Sequence, residues 1–252
     1  MTNSEVSQII GDVPYMSFDQ ANRLTALIEE YQLRNVLELG FMHGVSTCYL
    51  AAALERTGGE RVVTIDLEIA KSLEPNIETL LSRTGQRGRV DVYYEKKSYN
   101  WRLMKFLEQD SPQFDLCYLD GGHNWYDDGL AFFLVDRLLK PGGWIVLDDL
   151  SWTYATSPAL SKLEFVERMS QDEKTTPQVG KVYDLLIKRH PQYHNFRVIG
   201  DWGFAQKMKT PSMTGDREFV VERIIEVQQQ HLGIGWLARQ CWRKMMGNAN
   251  RR

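Results

Sequence analysis

An open α/β fold, with parallel strands joined by helices, is the class this sequence predicts, and three stretches predict it. The longest is FDLCYLDGGHNWYDDGLAFFLVDRLLKPGGWIVLDDL, residues 114–150. It reads as strand, polar loop, helix, Pro-Gly-Gly turn and strand. Asp120 follows the first strand, Asp148 and Asp149 follow the second, and His123 lies three residues past Asp120. Two parallel strands joined by one helix put their C-terminal ends side by side. The second stretch, NVLELGFMHGVSTC (35–48), reads as a strand, a glycine turn and the start of a helix. The third, RVVTID (61–66), is a short strand ending in acid. Acids, histidine and glycine turn are therefore predicted to share one rim of one sheet, where open α/β folds bind ligands.

The elements follow in order. Residues 1–16 carry little pattern and are predicted to be an N-terminal arm. Ser17 to Tyr31 forms an amphipathic helix: Ser17 and Gln20 match a capping box, and Leu24, Leu27 and Ile28 make an apolar stripe. Gly40 ends the first strand, and Gly44 and Ser46 open a helix through Leu54. Asp66 closes the second strand. Ala70 to Thr84 reads as a helix in which Pro75 argues for a break or a start near Glu74. Val90 to Tyr94 is a third strand, Ser98 follows it at the same rim, and Asn100 to Gln109 is a helix. Beyond Leu150 come an irregular loop with Trp152 and Tyr154, a helix over Leu160 to Met169, a polar connection over Gln171 to Thr176, and a helix over Val179 to Arg189. Phe196 to Ile199 and Gly203 to Met208 flank GDWG (200–203), a reversing hairpin. The organisation expected is an arm (1–16), one domain (17–210) and a helical, basic tail (211–252).

Composition narrows the function. The 252 residues suit one α/β domain with an appendage, and 43% hydrophobic residues allow a sizeable core. A net charge of −3 gives no general drive toward nucleic acid. No apolar run approaches the ~20 residues that span a bilayer. MTNSEVSQII lacks the basic and apolar segments of a signal peptide. Cys48, Cys117 and Cys241 are odd in number and far apart, which predicts free thiols and a reducing cytoplasm. The 35–48 turn, Glu38-x-Gly40-x-x-x-Gly44-x-Ser46, lacks the middle glycine of a GxGxxG dinucleotide fingerprint. That argues against a nicotinamide-dependent oxidoreductase.

These residues together resemble the class I S-adenosylmethionine (SAM) methyltransferases, over roughly Ser17 to Met208. Within that class the chain looks most like the small O-methyltransferases with a DGxH loop and a KPGGxIxxDD strand, here 120–123 and 140–149. Macrolide-sugar and catechol-type enzymes share parts of this arrangement. The resemblance implies a Rossmann-like seven-stranded sheet, helices on both faces, and an antiparallel last strand. It implies that Glu38, Gly40, Gly44 and Ser46 hold the methionine end of SAM, that Asp66 binds the ribose, and that Ser98 lies near the adenine. It implies that Asp120, Asp148 and Asp149 bind a divalent metal and that His123 is a general base. The catechol type has Asn where Asp149 stands and lacks this form of the loop. Residues 151–195 and the tail carry none of these motifs and are the parts expected to choose the substrate.

Physical chemistry supports the same roles while leaving alternatives open. Three carboxylates make a hard, oxygen-rich site suited to Mg2+ or Mn2+. A metal there would bind the acceptor oxygen and lower its pKa, and an imidazole could take the proton. The alternatives are structural: Glu38 capping the turn, Asp66 a surface acid, Asp148 an N-cap, Asp149 a solvated neighbour, and His123 a loop residue bonded to backbone. His43 reads as structural, and Tyr126, Asp127 and Asp128 as a helix start favoured by its dipole. The expected activity is O-methyl transfer to a sugar, polysaccharide or natural product. A non-catalytic SAM-binding or interaction protein is the alternative. The expected partners are a small-molecule or glycan acceptor and a second copy of the chain. In the tail, basic residues alternate with Trp236, Leu237, Trp242 and Met246. It suits an anionic membrane surface or lipid-linked substrate and equally a partner subunit, with packing on its own domain as the plain alternative.

Overall fold

Helices cover both faces of the sheet, so its central parallel strands read as nearly continuous apolar runs. The computed structural model describes residues 1–108, 113–158 and 160–209. Its strands are β1 (Asn35–Leu39), β2 (Arg61–Leu67), β3 (Val90–Glu95), β4 (Phe114–Leu119), β5 (Leu139–Leu147), β6 (Tyr193–Ile199) and β7 (Trp202–Lys207). They form one seven-stranded sheet in the order β3-β2-β1-β4-β5-β7-β6. The first five are parallel; β7 runs antiparallel to β5 and β6. This is the sheet the sequence predicts, including its antiparallel end.

Period-two alternation divides the strand residues between two cores. Val36, Leu116, Tyr118, Trp144 and Val146 face helices α1 (Asn3–Ile10), α2 (Phe18–Tyr31), α3 (Val45–Thr57) and α4 (Ile77–Arg83). Leu37, Leu39, Cys117, Leu119, Ile145 and Leu147 face α5 (Asn100–Glu108) and α6 (Trp125–Leu138). Cys48 and Cys117 are buried free thiols; Cys241 lies outside the described residues.

Several elements differ in detail from expectation, and one follows the alternative the sequence offered. Residues 3–10 are not an arm but helix α1, closed by a Thr2–Glu5 capping box. Val6 and Ile10 are buried, and Asn3 donates to Thr25 Oγ1 at 2.9 Å. Two apolar residues four apart are too few to show a stripe in sequence. The 70–84 stretch is interrupted, as Pro75 suggested: a short 3₁₀ turn (Glu68–Ser72) precedes α4, which Asn76 caps. The 160–169 helix shrinks to α7 (Glu164–Glu167), and the polar 171–176 connection contains helix α8 (Gln171–Thr175) under a Ser170–Glu173 capping box. The 179–189 helix is α9 (Gln178–Lys181) followed by a π-helical turn, Val182–Ile187. That turn carries Tyr183 to the sheet, where its hydroxyl donates to the Phe204 carbonyl at 2.8 Å. Residues 1–209 form one unit; the expectations for 211–252 lie outside the described residues. Among the described residues no helix is long and apolar enough to cross a membrane.

Candidate active site

The site is set by register. Leu39 pairs with Ile65 and with Leu119, and Leu119 pairs with Leu147. The ladder continues one residue beyond each strand. Gly40 N–H donates to the Ile65 carbonyl at 2.9 Å, Asp120 N–H to Leu39 at 2.9 Å and Asp148 N–H to Leu119 at 3.0 Å. Gly40, Asp120 and Asp148 are therefore neighbours across three strands. Alternation also places Glu38, Tyr118, Asp120 and Asp148 on the face that carries α3.

On the β1 side, Glu38 is fully buried. Its Oε2 accepts from Thr47 Oγ1 at 2.5 Å and Thr64 Oγ1 at 2.6 Å, while Oε1 has no partner. Burial pushes its carboxyl up to about 7, against the hydroxyls of Ser46, Thr47 and Thr64. An orphaned, buried carboxylate oxygen fits a cationic ligand group. Helix α3 starts after Gly44 with no side-chain cap, so its first amides await an acceptor.

Gly40 and Gly44 lie at φ 89° and 90°. A Cβ on Gly40 would overlap the Asp120 carbonyl oxygen, and one on Gly44 would overlap the Ile77 side chain. The two glycines thus let backbone and helix close on the turn. Asp66 ends β2 as expected, but its carboxylate shapes that turn. Its Oδ2 accepts from Phe41 N–H at 2.7 Å and Met42 N–H at 2.6 Å, and its Oδ1 from Leu67 N–H. Ser98 is half-buried after β3, and its Oγ accepts from Asn100 N–H at 3.3 Å at the start of α5. His43 approaches the Pro75 carbonyl at 2.5 Å and stacks on Tyr15, which favours its structural reading.

On the other side, Asp120, His123 and Asp149 each offer a ligand atom, and all three atoms lie within 4.8 Å of one another. His123 Nε2 is 3.2 Å from Asp120 Oδ1 and 3.5 Å from Asp149 Oδ2. Two carboxylates with an imidazole fit a divalent cation that favours oxygen and nitrogen donors. Asp148 stands just behind: its Oδ2 accepts from the Tyr118 hydroxyl at 2.8 Å and its Oδ1 from Asp149 N–H at 2.7 Å. The Tyr118 hydroxyl is also 3.2 Å from Asp120 Oδ2. Burial and the adjacent Asp120 charge raise the Asp148 carboxyl; burial also raises Asp149. Burial alone would lower the His123 pKa, but Asp120 and Asp149 overcome it and hold the ring up at about 9.

Three residues join this site that the sequence reading left out of it. Tyr118 looks like core in an apolar strand, yet it stands two residues before Asp120, hence on the same face. Trp152 lies 4.9 Å from the His123 ring and tilted to it, fixed by its own N–H bond to the Asp149 carbonyl. Tyr154 packs edge-on against Trp152 at 4.8 Å. Together they form an aromatic wall beside the acids.

A family model described as a methyltransferase domain matches residues 37–150. A catechol O-methyltransferase of Niastella koreensis is 29% identical over 135 residues, covering 54% of this chain and 58% of that protein. The chain spans about half the length of the curated relatives it matches. Among solved structures, an O-methyltransferase from Bacillus cereus in complex with SAH has a TM-score of 0.58 at 22% identity, over 82% of this chain and 90% of that one. TomG of Streptomyces achromogenes, an O-methyltransferase of tomaymycin synthesis in complex with SAM, has a TM-score of 0.58 at 21% identity, over 82% and 89%. The likeness to these two structures establishes the fold. The match to a methyltransferase-domain model runs from β1 through the end of β5, residues 37–150.

Proposed function

We propose that the protein transfers the methyl group of SAM to a hydroxyl oxygen of a small-molecule or glycan acceptor, with a divalent cation, Mg2+ or Mn2+, held by Asp120 and Asp149 beside His123, which stays free as the base. The convergence of those three side chains beside a buried, half-satisfied Glu38 carries the reading. Glu38 Oε1 takes the ammonium of the methionine moiety, and the uncapped amides of α3 take its carboxylate. Asp66 and the Gly40–Gly44 turn face the ribose, the lone pairs that Asp66 has left being acceptors for its hydroxyls. Ser98 sits toward the adenine.

In the reaction the S–CH3 bond breaks, the O–CH3 bond forms, the sulfonium becomes a thioether and the hydroxyl releases a proton. Asp120 and Asp149 would hold the cation, and Asp148 completes the acidic rim behind them through Tyr118 and the Asp149 amide. A divalent cation bound there would supply Lewis acidity toward the acceptor oxygen and would offset the carboxylate charge that keeps His123 protonated. His123 then receives the hydroxyl proton at Nε2. Trp152 and Tyr154 wall the acceptor and exclude water.

The test is calorimetric titration with SAM, with and without Mg2+, followed by methyl transfer to a panel of sugars and phenols. SAM binding with cation-dependent turnover supports the reading. Turnover unchanged in chelator, or in Asp120→Asn, removes the cation from it, and absence of SAM binding in folded protein removes the activity.

A further inference from the structure

His123 is held in an unusual backbone conformation, with φ 50°. The residues on either side of it are tied to one buried pair, Tyr99 and Asp128, which are 5% and 0% exposed. The Tyr99 hydroxyl accepts from Gly122 N–H at 3.3 Å and donates to Asp128 Oδ1. Asp128 Oδ2 accepts from Asn124 N–H at 3.0 Å. Tyr99 precedes α5 and Asp128 lies in the first turns of α6, so two helices of the far core meet at this loop. The Tyr99 ring also covers Gly121, where any Cβ would strike Cε1. The amides before and after His123 are thus fixed while the His123 side chain is left to Asp120 and Asp149.

We propose that Tyr99 and Asp128 are positioning residues that aim His123 at the cluster. The inference rests on the functional reading of His123 given above. Among the described residues neither side chain bonds to the Glu38 side of the rim, so their loss separates the two halves of the site. An error of about 1 Å at a reacting group costs about 100-fold in rate. His123 contacts Asp120 and Asp149, the residues that would hold the cation, and loss of such an outer partner costs about 10- to 100-fold in metal affinity or activity.

The experiment uses the full chain and the variants Tyr99→Phe, Asp128→Ala and Asp128→Asn. Tyr99→Phe and Asp128→Ala are expected to lower kcat about 10- to 100-fold and weaken the Mn2+ Kd about 10-fold, with the SAM Kd within about twofold of wild type. Asp128→Asn keeps an acceptor for the Asn124 amide and is expected to recover part of the loss. Histidine ring NMR provides a readout independent of turnover. In Tyr99→Phe the His123 signal moves or broadens while those of His43, His190 and His194 stay. Unchanged kcat, Mn2+ affinity and His123 signal overturn the inference. So does loss of SAM binding in step with turnover, or unfolding of all three variants, because the pair is then a general stabiliser. If the wild type neither binds Mn2+ nor transfers methyl, the functional reading fails instead, and the NMR result still decides whether the pair orients His123.

Discussion

Glu38→Gln should change the pH dependence of stability, and the size of the change follows from burial. In the folded chain Glu38 holds its proton up to about pH 7, against an ordinary 4.5. Between those values the native state binds a proton that the unfolded chain releases, so stability falls as pH rises through this window. A difference of about 2.5 units at about 1.36 kcal/mol each gives a limit near 3 kcal/mol, of which about 2.5 kcal/mol is lost between about pH 5 and pH 8. The Gln variant keeps an oxygen for the Thr47 and Thr64 hydroxyls. It places an amide donor where Oε1 has no partner, a cost of about 1–3 kcal/mol that does not vary with pH. Urea unfolding of both proteins without SAM, from about pH 5 to pH 8, gives the difference curve. The wild type should lose about 2–3 kcal/mol relative to the variant across that range. A flat difference curve refutes the buried, protonated Glu38. The same variant should lose SAM affinity, and wild-type SAM affinity should rise with pH through about 7 as Glu38 ionises.

Other perturbations separate the parts of the site. Asp149→Asn should weaken Mn2+ binding about 10-fold or more and abolish cation-dependent turnover while sparing SAM affinity, as calorimetry and kinetics would show; retained Mn2+ affinity would remove Asp149 from the cation site. Gly40→Ala should destabilise by about 2–4 kcal/mol, through overlap with the Asp120 carbonyl added to a positive φ, whereas Gly58→Ala, at φ 69° with nothing within 4 Å of an added Cβ, should cost only about 1–2 kcal/mol. Equal losses in urea unfolding would show that close approach at Gly40 is unimportant. Trp152→Ala should raise the acceptor KM about 10-fold with little change in SAM Kd; a parallel rise in SAM Kd would place Trp152 on the cofactor side.

The strands and their rim were legible because period and punctuation coincide. Each parallel strand is an apolar run closed by acid or glycine, and one such residue at each end suffices to mark the rim. Asp120, Asp148, Asp149 and His123 fell together as expected, because a register is inherited by whatever follows the strand. The division of labour among them was not legible. That His123 joins Asp120 and Asp149 while Asp148 is tied to Tyr118 depends on carboxylate rotation and on left-handed backbone at His123 and Asp149. Asp66 shows the same limit: spacing placed it at the end of β2, but its bonds to Phe41 and Met42 arise from the path of the turn. Tyr99 and Asp128 gave no pattern, since their pairing spans 29 residues. Helix α1 was hidden because its two buried apolar residues gain their partners only from α2 and α3.

The electrostatics of the rim explain why these acids are tolerated in one place. Glu38, Asp148 and Asp149 all have raised pKa values, and burial is the first cause for each. A raised carboxylate pKa is stability withheld from the ligand-free fold at neutral pH. A cation that binds only the native state returns it as binding free energy. Both ligands of the proposed reaction meet that condition, SAM through its ammonium and sulfonium and the metal through its charge. The imidazolium of His123 partly fills the metal's electrostatic role before it arrives, which accounts for a histidine with a high pKa between two acids. Gly40 joins the two halves, since the Asp120 carbonyl lies where its side chain would be. Backbone contact at that one glycine sets the Glu38 pocket against the Asp120 cluster, and in the proposed reaction it would set the donor methyl against the acceptor oxygen.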